Sequence, residues 1–325
     1  VDTELALPGF DKKQLSLLRL FHPYAFKKAQ LALSRNMRFV HYTSADVAMR
    51  IFQTQQVWMR NATCMNDFME IEHGFECLNA AYKNQREKFQ KTFDSLFPDF
   101  SKKLQDSFND WLPHFRSDTY LACVSEHDDK EDELGRLSMW RAYGGDAGVA
   151  IVMKGLPFLT HSDALKAHTN PVAYLSKEEY SLEFSKFLDG IQANAKIVKD
   201  LGEERALAHV FEAFRYATMC TKHVGFHEER EWRIIYSPAY EKSDRIVSGI
   251  ESIRGTPQPV CKIPLKDVPA EALIGIEIPK LVDRVIVGPT RHPLVIREAF
   301  VALLNDAGVT EAQSRVFVSD IPLRQ

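Results

Sequence analysis

Five short apolar runs of alternating character, separated by two long helical stretches, set the strongest limit on how this chain can fold. Residues 37–42, 120–125, 148–153, 231–236 and 282–287 each have the length and the apolar content of a strand. Residues 70–115 and 177–223 carry apolar positions at helical spacing instead, the first stretch broken by Pro98. Strands and helices in this order point to an α+β domain with helices inserted between its strands.

Local signals fill in the rest. Leu17, Leu20 and Phe21, then Ala25, Ala29 and Ala32, mark two short helices over residues 11–36, parted by Pro23. The strand at 37–42 ends in the turn-prone Thr43-Ser44, and Ser44 is placed to cap a helix over 45–53 whose Val47, Ile51 and Phe52 share a face. A short extended piece at 57–59 precedes a loop at 61–67. The acidic residues 126–133 read as a solvated loop, and 137–143 as a short helix turned by Gly144-Gly145 into the next strand. Extended pieces are expected at 172–174, 261–263, 273–278 and 315–318, a polar hairpin or loop at 239–258, and a helix at 294–307. No internal repeat appears. The organisation predicted is a helical segment, 1–36, and one catalytic-type α+β domain, 37–325, with helical insertions at 70–115 and 177–223.

Composition narrows the function classes. Hydrophobic content of 45% and charged content of 26% suit a packed globular domain, and the 21 Phe are expected in its core. A net charge of −3 gives no bulk electrostatic reason to bind nucleic acid. Cys64, Cys77, Cys123, Cys220 and Cys261 are odd in number and contain no C-x-x-C, so free thiols are expected, with neither a disulfide-linked partner nor a structural zinc site. No signal peptide is visible, and no apolar run approaches the roughly 20 residues of a spanning helix. The expectation is a soluble, cytoplasmic protein with no membrane partner.

Four groups of residues could carry chemistry. His41, with Tyr42 and Thr43 behind it, ends a strand where an imidazole can bond ligand hydroxyls or simply satisfy nearby backbone. Alternation puts His41 with Phe39 on one face and Val40 with Tyr42 on the other. Glu231 shares a strand face with Arg233 and Ile235; pointed into a cleft, its carboxylate could hold a ribose and stabilise an oxocarbenium ion. Paired with Arg233 or Arg230 it would be structural. Ser125, and beyond the acidic loop Trp140, Arg141 and Tyr143, could stack a flat ring and hold a phosphate, although aromatics at that spacing more often build core. Met65-Asn66-Asp67, with Glu70 and Glu72, reads first as helix capping, and no metal is expected there. His223 and His227 have the spacing of a helical metal pair, weakened by Gly225, and no H-E-x-x-H or phosphate-loop motif is present.

The segments "FVHYTS", "QVWMRNATCMNDFME", "LACVSE", "SMWRAYGGDAGVAIVM", "EEREWRII" and "VDRVIVGP", in that order over residues 39–289, resemble a bacterial family known as domain of unknown function 2971. More distantly, "HYTS…IF…VW" and "EREWRIIY" resemble the opening strand and a late strand of poly-ADP-ribose-polymerase-type transferases. That resemblance implies a mixed or antiparallel split β-sheet core and NAD as substrate. It implies that His41 contacts the adenosine ribose and Glu231 the nicotinamide ribose. The tyrosine that completes that arrangement stays open here among Tyr120, Ser125 and Tyr143, since no G-x-Y-F run is present. The resulting expectation is an NAD-dependent ADP-ribosyltransferase-like enzyme or NAD glycohydrolase, of the kind deployed in bacterial defence or as a toxin, with an acceptor left open. The alternatives are a non-catalytic ligand- or partner-binding module on the same fold, and a metal-dependent nuclease or phosphohydrolase using Asp67, Glu70 and Glu231. For the first, His41 and Glu231 must face one cleft.

Overall fold

The structure, a computed structural model, describes residues 5–64, 68–253 and 255–322. The chain opens with α1 (Lys12–Phe21) and α2 (Pro23–Ser34), separated as Pro23 requires. Asp11 caps α1 in a reciprocal box with Gln14. Strand β1 (Arg38–Ser44) leads into α3 (Ala45–Thr54), where the Ser44 hydroxyl accepts from the Val47 amide at 3.4 Å. Then follow β2 (Gln56–Asn61), α4 (Phe68–Asn84), α5 (Arg86–Asp94) and α6 (Phe100–Ser117). Next come β3 (Tyr120–His127), α7 (Leu137–Met139), β4 (Gly148–Lys154), α8 (Leu156–Leu159), β5 (Ala167–Pro171) and β6 (Ala173–Tyr174). The second helical stretch is α9 (Lys177–Ala193), α10 (Ala195–Leu201) and α11 (Glu203–Met219). The remainder is β7 (Thr221–Lys222), β8 (Glu231–Tyr236), β9 (Val247–Ile253), β10 (Thr256–Pro264), α12 (Ile278–Leu281), β11 (Val282–Val287), α13 (Pro293–Asp306) and β12 (Val316–Val318).

The mixed sheet is split. One half runs β12-β11-β4-β1, and the other runs outward from β3 through β2, β10 and β9 on one side and through β8 and β5 on the other. Only β11 and β12 are parallel within it. The six rungs from Tyr120↔Tyr236 to Ser125↔Glu231 occupy one edge of β3. On its other edge, β1 pairs only at residues 125–127 and β2 only at 120–121. Between them β1 turns away to pair along its whole length with β4, and β3 has no strand neighbour there.

The two helical insertions, far apart in sequence, fold into one layer. Helices α4, α5, α6, α9 and α11 share a phenylalanine-rich core that includes Phe89, Phe93, Phe100, Phe184 and Phe214 and rests on Leu121 and Ile235 of the sheet. The expected role of the Phe side chains is the observed one. On the opposite face α3, α12 and α13 pack against Phe39, Val149, Ile151, Val285 and Val287.

Two sequence expectations give way. Residues 273–278 form no strand; Leu273 makes an isolated bridge to Val268, and α12 starts at Ile278 because Pro279 sets a helical first turn. The acidic run 126–133 is a solvated loop only in part: residues 128–130 and Glu133 are exposed, Glu126 and His127 belong to β3, and Glu131 and Asp132 are drawn into ion pairs. Glu131 receives Arg136 at 3.0 Å and also Arg230, while Asp132 receives Arg38 at 2.8 Å, Arg284 at 3.0 Å and His127 at 2.8 Å. Its carboxylates neutralise arginines brought from four separate segments.

Candidate functional site

Cross-strand partners project to the same face of a sheet, so the register decides what His41 and Glu231 can share. Val40 pairs with Ser125, and Ser125 with Glu231. Val40, Ser125 and Glu231 therefore lie on one face. His41, one residue on, lies on the other with Phe39, Val124 and Trp232, whose packing confirms the parity: the Phe39 and Trp232 rings meet at 5.1 Å. The structure does not bring the imidazole and the carboxylate together; the sheet stands between them.

On its face, His41 occupies the gap in the split sheet. Its Nδ1 lies 2.8 Å from the carbonyl oxygen of Cys123, in the stretch of β3 that neither β1 nor β2 reaches. A carbonyl only accepts, so Nδ1 carries the proton and Nε2 the lone pair. Burial lowers the His41 pKa against the opposing pull of that bond, and the ring stays neutral.

The imidazole opens onto a cavity of about 430 Å3. Its floor is the sheet, from Ile151 and Met153 in one half to Ala122, Trp232 and Ile234 in the other. Leu17, Leu18, Ala25 and Ala29 of α1 and α2 form the roof, with Phe158 and Leu159 of α8 to one side. The roof is tied down by polar contacts outside the apolar space. The Tyr24 hydroxyl donates to the Val172 carbonyl at 3.1 Å, Lys28 pairs with Glu126 at 2.6 Å, and the His161 amide donates to the Pro8 carbonyl at 2.9 Å. Four further histidines, His22, His161, His168 and His209, line the same space. His22 is lowered to about 4 by burial, then by His209 and Arg215; burial likewise lowers His168 and His209.

Glu231 lies on the other face, 5% exposed, under α11 and β7. Its carboxylate is 2.7 Å from Arg233 Nε and 2.5 Å from Lys222 Nζ, both cations essentially inaccessible. Burial by itself would raise its pKa; Arg233 and Lys222 prevail and hold it well below the ordinary value. Lys222 also reaches Glu229 at 2.6 Å, and the Tyr143 hydroxyl donates to Glu229 at 3.2 Å. Arg233 donates to the Met219 carbonyl at the end of α11, and the Tyr174 hydroxyl meets the Glu231 amide at 2.8 Å. This is a closed ionic cluster rather than a carboxylate presented to a cleft, and the pairing with Arg233 weighed from sequence is what the register produces.

The other candidates divide between the faces. Tyr42 and Ser125 are buried on the Glu231 face; the Tyr42 hydroxyl accepts from the Arg136 amide at 2.8 Å and its ring packs edge-on to Trp140. Thr43 is half-buried opposite Val149. Trp140 is core, not a stacking platform. Its indole donates to the Leu134 carbonyl at 2.8 Å and fits so closely that a Cβ at Gly288 would lie 2.7 Å from the ring. Trp140–Gly144 is a π-helical turn, which sets Arg141 outward on a shallow groove beside Ser138, His227 and Glu228. Met65, Asn66, Asp67 and the side chain of Glu70 lie outside the described residues. Among those described, no three His, Cys, Asp or Glu side chains converge to hold a metal, and no helix is long and apolar enough to cross a membrane. The five cysteines are free thiols.

Sequence reasoning missed Lys222 and Glu229, and the histidines at 22, 161, 168 and 209. Lys222 directly follows an apolar helical run, the one signal that could have marked it as buried. Nothing in the spacing joins the five cavity histidines, which come from the α1–α2 junction, β1, the segment between α8 and β5, β5 and α11.

Residues 139–234 match the model of a family described as protein of unknown function (DUF2971). The match runs from the π-helical turn to β8. It contains Tyr143, Lys222, Glu229, Glu231 and Arg233 and stops short of His41. No curated protein and no solved structure matches the chain.

Proposed function

We propose that this protein binds an apolar small molecule in the cavity beneath α1 and α2, making it a ligand-binding module rather than a transferase. The observation that carries this reading is the cavity itself. At about 430 Å3 it falls within the range of small-molecule sites, roughly 300–1,000 Å3, and has the expected character: apolar walls with a few polar groups.

The NAD-transfer reading needs His41 and Glu231 on one dinucleotide. The residues named for NAD do not form one site: the sheet separates them, and Glu231 is saturated by two cations.

The test is binding of an uncharged naphthylamine fluorophore to protein purified and stripped of lipid, alongside Ala29→Phe, which projects a ring from the roof into the space. The native protein should bind and Ala29→Phe should lose at least tenfold in affinity while unfolding at the same temperature or higher. Equal binding by both would overturn the proposal, and nicotinamide release from NAD that Glu231→Gln abolishes without loss of folding would restore the transferase reading.

A further inference from the structure

We infer that the cavity selects an apolar molecule carrying a hydroxyl, held as a donor by His41 Nε2, over the matching carboxylic acid or ester. The inference rests on the cavity reading above and adds the chemistry of the occupant.

The geometry starts at the gap in the sheet. The Cys123 carbonyl has no strand partner there, and His41 Nδ1 supplies the missing bond at 2.8 Å. This fixes the tautomer, because a protonated Nδ1 on a neutral ring leaves Nε2 as an acceptor only. Nε2 has no protein partner among the described residues, yet it is not among the polar atoms sealed from solvent. The space it opens onto is the cavity that His41 lines.

An acceptor in an apolar wall favours a ligand that brings its own proton. A hydroxyl can donate to it. An ester of the same chain length offers only lone pairs, which meet the Nε2 lone pair without a proton between them. An ionised acid fares worse, because no lysine or arginine lines the cavity and the acidic side chain on its wall, Glu212, would repel an anion. Burial lowers His22, His168 and His209 alike, so these three rings bring no positive charge to an anion at neutral pH. Of these rings, His41 is the one whose tautomer a backbone bond fixes, which is why it is singled out.

The experiment displaces the same naphthylamine fluorophore from the native protein at neutral pH with decanol, decane, methyl decanoate and decanoate, and repeats the series on His41→Phe. Decanol should displace at a concentration roughly three- to tenfold below methyl decanoate, the span of one neutral hydrogen bond, with decanoate weaker than both. His41→Phe, which keeps a ring of similar size, should bring decanol to the level of the ester. If decanol and the ester displace equally from the native protein, the inference fails while the cavity reading stands. If decanoate is the tightest of the series, it fails likewise. If neither the fluorophore nor any competitor binds, the cavity reading falls and this inference with it. The comparison of competitors on the native protein decides the matter even if His41→Phe does not fold.

Discussion

The two faces of this sheet solve the problem of buried polar groups in opposite ways. On one, Glu231, Arg233, Lys222 and Glu229 are packed together and bind one another, with Tyr143, Tyr174 and the Met219 carbonyl among their further partners. On the other, half-buried histidines have lowered pKa values and one ring nitrogen has no protein partner among the described residues. A cluster whose charges are all matched serves cohesion. A single acceptor facing an apolar space serves recognition. The contrast teaches that the more conspicuous group, an acidic residue among arginines, is the one with least freedom to act.

The contrast can be broken most forcefully at Glu231. Glu231→Gln leaves Arg233 and Lys222 buried without their shared counter-charge and is expected to cost about 3–5 kcal/mol, read from the shift in denaturant midpoint. The corresponding change across the sheet, His41→Phe, removes one neutral hydrogen bond and is expected to cost about 1 kcal/mol. Equal losses would mean that the faces are not divided as described.

Acid separates the faces next. A histidine whose folded pKa lies below its unfolded value contributes stability that is complete above about 6.5 and is lost as pH falls toward the folded value, about 4 for His22. The depressed Glu231 carboxyl contributes stability that is complete above the ordinary carboxylate range and is lost only below it. Melting temperature should therefore decline between pH 6.5 and 4 as the cavity histidines and His127 take up protons on unfolding, and His22→Gln should flatten the cavity's share of that decline. A decline of the same slope in His22→Gln would show that the cavity histidines do not govern it.

The smallest expected effect tests the discarded phosphate contact. Arg141 is exposed on a shallow groove, so Arg141→Ala should change stability by less than about 0.5 kcal/mol and leave fluorophore binding unaltered. A tenfold change in binding would connect that groove to the cavity.

Much of the fold was legible. Period-two alternation placed Glu231 with Arg233 and His41 with Phe39 correctly within their own strands, β8 begins and ends where its apolar run does, and Pro23 parts α1 from α2 as expected. What alternation cannot supply is how the faces of separate strands align. That depends on β3 lying between β1 and β8 and on the pairings Val40↔Ser125 and Ser125↔Glu231, each joining residues more than 80 positions apart. A slip of one residue in either ladder would have put His41 and Glu231 on the same side. The cavity was illegible for a related reason: its roof and floor come from segments spread over the whole chain, and an unfilled volume leaves no periodic signature.

The short seam of three rungs between β1 and β3, against seven between β1 and β4, has a mechanical consequence. Little backbone bonding joins the halves along this line, and the His41 ring adds a rivet near one end of it. Any occupant that touches both halves braces the joint, so its arrival should register as slower amide exchange at Val40 and Ser125, whose side chains lie on the face turned away from the cavity.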